Sequence, residues 1–196
     1  MLEAVGVTKR FEGRTVIQGF SRRFEPGGRY CLMGPSGCGK TTLIFLLMGL
    51  LKPDGGEVRG LKGLRLSAVF QEDRLLEQMT ATANVRLAAR CGAAEADQLL
   101  LALGLESESL SQPVRAFSGG MKRRVALCRA LAAACDALFL DEPYKGLDEA
   151  AKARAQALVA SRAQGKTVVL VTHDPREAEG YEVVRLGDFA AGRLQR

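Results

Sequence analysis

The eight residues Gly34-Pro35-Ser36-Gly37-Cys38-Gly39-Lys40-Thr41 constrain this chain more than any other stretch. They match G-x-x-x-x-G-K-[ST] completely. Before them Arg29-Tyr30-Cys31-Leu32-Met33 reads as a short buried strand, and after them residues 41–51 read as an apolar helix. Glycines let successive backbone N–H groups converge on phosphate oxygens, and the following helix turns its positive dipole end to the same point. Lys40 supplies a mobile charge for the β- and γ-phosphates, and the Thr41 hydroxyl can ligate Mg²⁺. The flanking strand and helix set this stretch apart from an ordinary glycine-rich turn. It predicts a nucleoside triphosphate site, to which the adjoining Thr42 also belongs.

The rest of the chain supplies a fold for that loop. Short strands are expected at Val5-Gly6-Val7 and Thr15-Val16-Ile17, with a turn at Glu12-Gly13-Arg14, and residues 57–70 also read as strand-like. From 73 the pattern becomes helical. Residues 84–89 and 93–103 carry Ala and Leu at three- and four-residue spacing, with Gly92 and Gly104 as stops. A helix over 120–134 follows, then two apolar strands, Ala137-Leu138-Phe139-Leu140 and Val168-Val169-Leu170-Val171, on either side of a helix over 149–163. Continuous apolar strands alternating with helices predict a parallel sheet covered on both faces. The helical block over 73–118 is expected to be an insertion into a single domain spanning 1–196.

Composition narrows the class. With 196 residues, 47% hydrophobic and 26% charged, the chain can bury a core and is not disordered. The longest apolar stretch, 43–51, falls far short of the roughly 20 residues needed to cross a bilayer. The start carries no basic region followed by an apolar run, so no signal peptide is expected. Five cysteines without a Cys-x-x-Cys pair predict reduced, mostly buried thiols of a cytoplasmic protein. A single histidine, His173, excludes a His-rich metal site. The balance of 28 Lys+Arg against 22 Asp+Glu gives +6, compatible with nucleic acid, acidic lipid headgroups or a polyphosphate ligand.

Two further motifs belong with the phosphate loop. Leu138-Phe139-Leu140-Asp141-Glu142 is an apolar strand ending in two carboxylates. Ligands of α/β sheets sit at the carboxyl ends of strands, so both motifs are expected to meet at one crevice. Asp141 there would hold Mg²⁺, and Glu142 would orient or deprotonate an attacking water. Phe117-Ser118-Gly119-Gly120 opens a helix whose first amides are left bare by Ser and Gly, open to an anion. His173 follows a buried strand whose end falls at the same crevice, where it can donate to a γ-phosphate oxygen.

The phosphate loop, Gln71, Ser118-Gly119-Gly120, Asp141-Glu142, Gly146-Leu147-Asp148 and His173 occur in one order over nearly the whole chain. Together they resemble the ATP-binding subunit of ABC transporters. The resemblance implies a P-loop NTPase (RecA-like) core with an antiparallel β subdomain and an inserted helical subdomain. It implies ATP and Mg²⁺ as ligands, with Gln71 as the Q-loop glutamine that senses the metal and the γ-phosphate. Ser118, Gly119 and Gly120 match signature residues that contact the nucleotide of an opposing subunit, and Asp148 matches the acid at that seam. Glu142 corresponds to the catalytic glutamate and His173 to the switch histidine. Phe11 falls where the family stacks an aromatic on adenine, and it also fits a core strand position.

The same resemblance implies a head-to-tail homodimer that sandwiches two ATP and drives an integral membrane permease from the inner face of the cell membrane. No direct contact with nucleic acid is expected. Gln71-Glu72-Asp73-Arg74-Leu75-Leu76, with Met79-Thr80 and Asn84-Val85, is similar to the nitrate, sulfonate and taurine importer ATPases. Phe117 and Met121 depart from the usual Leu-Ser-Gly-Gly-Gln signature, and a thioether cannot replace the hydrogen bonds of a glutamine. Lys145 adds a charge where a small residue is common. With 23 residues after His173, the regulatory extensions of some members are expected to be absent. Lys122, Arg123, Arg124 and Arg129 read most simply as a solvated helix face. Two other classes remain to be weighed: a soluble ABC-type ATPase acting on nucleic acid or ribosomes, and a phosphoryl-transferring P-loop kinase.

Overall fold

A computed structural model describes residues 1–187. Its centre is a five-stranded parallel sheet in the order β5-β6-β7-β3-β8. These strands are β3 (Arg29–Met33), β5 (Leu66–Val69), β6 (Ala137–Asp141), β7 (Thr167–Val171) and β8 (Glu182–Arg185). A three-stranded antiparallel sheet, β2-β1-β4, is built from β1 (Leu2–Phe11), β2 (Arg14–Phe24) and β4 (Gly55–Arg59). The helices are α1 (Lys40–Leu47), α2 (Ala81–Ala89), α3 (Ala93–Ala102), α4 (Gly119–Ala132) and α5 (Glu149–Arg162).

Alternation along the central strands divides the core in two. On one face Leu32, Phe139, Val169 and Val171 pack with Leu43 and Leu47 of α1 and with Phe20 and Phe24 of β2. On the other, Leu138, Leu140, Val168 and Leu170 pack with Val125 and Cys128 of α4, Val159 of α5 and residues of α2 and α3. Both faces of the parallel sheet are therefore covered, as its continuously apolar strands require. Cys31, Cys128 and Cys135 lie buried in this core, whereas Cys38 and Cys91 are half-buried, and all five are free thiols.

Local chemistry sets the element ends. Thr80, Ser118 and Asp148 cap α2, α4 and α5 by accepting from Ala83 N, Met121 N and Ala151 N. The β1–β2 hairpin closes through Glu12 at φ 48° and Gly13 at φ 79°, the pair of positive φ values of a two-residue type I′ turn.

The differences from sequence expectation have physical causes. Strands β1 and β2 are far longer than the three-residue runs expected. Register shifts between Ala4 and Val7 and between Val7 and Lys9 interrupt their period-2 pattern, and Gly6 sits at φ 58°. The strand-like 57–70 stretch splits between the two sheets. The helix expected over 41–51 stops at Leu47, where Gly49 at φ 70° turns the chain and Leu50 is exposed. Strand β8 carried no sequence signal used above, because Glu182 and Arg185 flank its two valines.

The basic residues of α4 are a plain correction. They are not a solvated face: Arg123 is 6% exposed, and Lys122, Arg124 and Arg129 are half-buried. Lys122 pairs with Glu77, and Arg124 donates to the carbonyl oxygen of Gly104 at 2.6 Å. Arg123 and Arg129 donate to the backbone of 70–74. A planar guanidinium with five donors can satisfy several loop carbonyls at once, and this helix spends its charges inside the chain.

Candidate nucleotide site

The phosphate loop runs from the end of β3 into α1, at the carboxyl edge of the parallel sheet. Gly34 and Gly39 explain why side chains are excluded there. A Cβ at Gly34 would sit 2.1 Å from the Leu186 carbonyl oxygen, and Gly39 adopts φ 98° against the Val16 and Ile17 side chains. Lys40 is 7% exposed and donates from Nζ to the carbonyl oxygens of Gly34 and Pro35, each at 2.8 Å. Its charge is thus held at the mouth of the loop by carbonyls against which a phosphate oxygen would compete.

Beside the loop lies a cleft of about 370 Å³. It brings together Ser36, Gly37, Gly39, Lys40, Thr41 and Thr42 of the loop and helix with Phe11, Gln71, Asp141, Glu142 and His173. These come from β1, the segment after β5, and the ends of β6 and β7. The candidates converge from distant positions in the sequence. Phe11 is 45% exposed at this cleft, which removes it from the core position it also fitted. Gly34, Pro35 and Cys38 belong to the loop but do not line this cleft. A second hollow of about 420 Å³, lined by Arg14, Gln18 and Cys38, adjoins the first through Val16, Ser36 and Gly37.

Two contacts give the cleft its chemistry. Thr41 Oγ1 donates to Asp141 Oδ2 at 2.7 Å. Asp141 is 1% exposed, and burial pushes its carboxyl up from the ordinary range while the Thr41 hydrogen bond opposes that rise. A buried carboxylate beside a hydroxyl is the hard oxygen donor set that Mg²⁺ accepts together with substrate phosphates, so the residues fit that ion. One residue on, Glu142 adopts φ 48°, uncommon for a side chain with a Cβ, and its N–H is fixed to the Val171 carbonyl oxygen at 2.9 Å. This turn aims its carboxylate at the neighbouring strand end. Oε1 lies 3.0 Å from His173 Nε2, and Oε2 lies 3.4 Å from Lys145 Nζ.

A family model described as ABC transporter matches residues 17–145. The chain belongs to the ABC transporter family. Among its relatives, an aliphatic sulfonates import ATP-binding protein, SsuB 1 of Rhodococcus jostii (strain RHA1), is 39% identical over 90% of this chain and 74% of its own length. The taurine import ATP-binding protein TauB of Pseudomonas aeruginosa is 38% identical over 90% of the chain and 73% of its own. An Fe(3+) ions import ATP-binding protein, FbpC 2 of R. jostii, is 36% identical over 98% of the chain, which spans only 60% of that relative. Among solved structures, the dimeric ATP-binding cassette MJ0796 bound to ADP and Pi has a TM-score of 0.87 at 28% identity, covering 100% of this chain and 97% of that one. The fold is that of an ABC ATPase cassette.

Helices α2 and α3 lie between β5 and α4 along the chain. Ser118, Gly119, Gly120 and Asp148 do not line the cleft. Ser118 and Asp148 are helix caps, and Gly120 packs beside the turn before Asp148, where an added Cβ would approach the Gly146 carbonyl oxygen to 3.2 Å. Gly119 has no such reason inside the chain. A Cβ there would meet nothing within 4 Å, and its φ is not positive. Met121 packs half-buried against the core beneath this helix start.

Sequence reasoning missed the support behind His173. Lys152, on the first turns of α5, pairs with Asp174 at 2.9 Å and Glu177 at 2.6 Å while being 14% exposed. The sequence offers no local signal for it, since Lys152 and Asp174 lie 22 positions apart.

Proposed function

We propose that the chain hydrolyses ATP as the peripheral subunit of a membrane importer, working as a head-to-tail dimer with two nucleotides at its seam. One observation carries this reading: Lys40, the Thr41–Asp141 pair and the Glu142–His173 pair open onto a single cleft. Lys40 and the loop amides bind the phosphates, and Phe11 offers an exposed ring for the base. Thr41 and Asp141, with Gln71 beside them, would hold Mg²⁺, which when bound neutralises phosphate charge. Glu142 accepts a proton from the attacking water, and His173 holds that carboxylate and reaches for the γ-phosphate. Positioning and electrostatics do most of such chemistry.

Gly119 supports the dimer. A bare helix start with no internal reason for glycine fits the close approach of a ligand held elsewhere, and the partner's nucleotide is such a ligand. Asp148, two residues beyond the Gly146 that Gly120 packs against, belongs to the same region. An isologous two-fold interface then builds both sites at once. No helix among the described residues is long and apolar enough to cross a membrane, so transport requires a permease, and its attachment would keep this chain on the inner membrane face.

The relatives named above are all import proteins, which supports import over export, and the sulfonate and taurine proteins support a sulfonate-type substrate. The reading is tested by co-purifying the chain with its permease and measuring ATP-dependent uptake into vesicles. Uptake of taurine or an alkane sulfonate, lost in Glu142→Gln, is the expected result. Hydrolysis that depends on nucleic acid, or transfer of phosphate to an acceptor, would overturn it.

A further inference from the structure

We propose that Lys145 is a positioning residue that restrains Glu142: its ammonium holds the second carboxylate oxygen from outside the cleft and so slows hydrolysis. This rests on the role given above to Glu142 as the base.

The turn after β6 sets the pair up. Lys145 N–H donates to the Glu142 carbonyl oxygen and Leu147 N–H to that of Tyr144, each at 3.2 Å. Tyr144 is 5% exposed and packs in the core. The backbone under Lys145 is therefore anchored, while its side chain is 62% exposed and free to swing.

Among the described residues Glu142 has two ion-pair partners, and they take different oxygens. His173 Nε2 lies 3.0 Å from Oε1, and Lys145 Nζ lies 3.4 Å from Oε2. His173 lines the cleft together with Glu142, whereas Lys145 does not. The histidine thus reaches the carboxylate from within the cleft, and the lysine from its rim.

That difference gives the contact its sense. A general base must bring an oxygen within about 2.6–3.2 Å of the water it deprotonates. A carboxylate oxygen can accept more than one hydrogen bond, so Lys145 does not shut the water out. It does draw Oε2 towards the rim, and the carboxylate turns to the water more readily once the lysine lets go. Of the two partners Lys145 is the one that leaves, because it is a point charge on a flexible four-carbon stem in solvent. An exposed ion pair is weak, so the contact slows the base without silencing it.

The test measures ATP hydrolysis by the full chain, by Lys145→Met, which keeps the stem and loses the charge, and by Lys145→Arg, which keeps the charge. Lys145→Met should raise kcat about two- to fivefold, the scale of an exposed ion pair, with half-saturating ATP changed less than about twofold. Lys145→Arg should bring kcat back towards wild type. Raising salt from about 0.05 to 0.5 M should narrow the gap between Lys145→Met and wild type, because screening weakens the same pair. In a Glu142→Gln background no carboxylate is left to restrain, so adding Lys145→Met should leave the residual rate unchanged.

A kcat in Lys145→Met equal to or below that of wild type would overturn the proposal, since a lysine that serves the phosphates slows the reaction when removed. So would a gain that persists in the Glu142→Gln background. Failure of the underlying site reading is distinct: Lys40→Ala would then hydrolyse ATP at the wild-type rate, whatever Lys145→Met does.

Discussion

Glu142 Oε1 lies 3.0 Å from His173 Nε2, joining the ends of two adjacent parallel strands at the nucleotide cleft. The positive φ of Glu142 turns its side chain across to β7, and the hydrogen bond from its N–H to Val171 fixes that turn. Strain of this sort is held where the surroundings over-determine it, and at the proposed catalytic carboxylate it sets direction. Glu142→Gln preserves the shape and the contact with His173 but cannot take a proton. Turnover should fall by about 10²–10⁴-fold, the span general-base catalysis supplies. ATP binding should persist, and an ATP-bound dimer should accumulate on size-exclusion chromatography. Wild-type turnover in that variant would remove Glu142 from the role of base.

Lys40 tests the phosphate loop separately from the chemistry. Its ammonium is nearly buried and bonded to two carbonyls of the loop that it serves. Lys40→Ala removes a charge that no neighbour replaces, and charged hydrogen bonds contribute about 1.5–3 kcal/mol each. ATP affinity, read with a fluorescent nucleotide, should weaken by about 10²-fold for two such bonds partly compensated by the loop amides. Unchanged affinity would dismiss this loop as the phosphate site.

Lys152 addresses the support of His173. Hydrogen bonding to Glu177, then to Asp174, holds its ammonium pKa above the ordinary value, and the Asp174 carboxyl is held well below its own by Arg176 and Lys152. Asp148, placed at the proposed dimer seam, caps the same helix through Ala151 N–H. Lys152→Met should lower kcat about tenfold with KM for ATP little changed, because truncating one partner of a half-buried charged pair leaves the others uncompensated. Lys152→Arg should restore most of it. Equal losses in the two variants would show that the charge is not what matters.

What the sequence made legible follows from how local each signal is. The phosphate loop, strand β3 and the carboxylates of β6 are contiguous patterns whose meaning does not depend on distant residues, and the cleft gathers them. Strands β1 and β2 were half hidden because their bulges break the alternation that marks a strand. The arginines of α4 were misjudged for another reason. Whether an arginine is solvated or buried depends on which carbonyls the fold carries to it, and Phe70 and Arg74 lie more than fifty positions away. Lys152 and Asp174 were missed likewise, since an ion pair across 22 residues leaves no local pattern.

Acid stability offers a test of the fold away from the cleft. Arg65 donates to Asp136 from its side chain and from its backbone N–H, which joins β5 to β6 at the sheet end opposite the nucleotide. These bonds bring the Asp136 carboxyl down to about 2. A folded value below the unfolded one, about 3.9, stabilises the fold above that pH and loses this contribution as pH falls through the folded value. Asp54 acts in the same direction through Arg10 N–H and Lys9. Burial raises Asp73 and Asp141 instead, so they favour the fold at low pH and offset part of the loss. Asp136→Asn should therefore lower the melting temperature at neutral pH, and the gap to wild type should close between about pH 4 and pH 2. Melting curves across that window decide it: a gap that stays constant into acid would mean that the Arg65–Asp136 charge pair contributes nothing to stability.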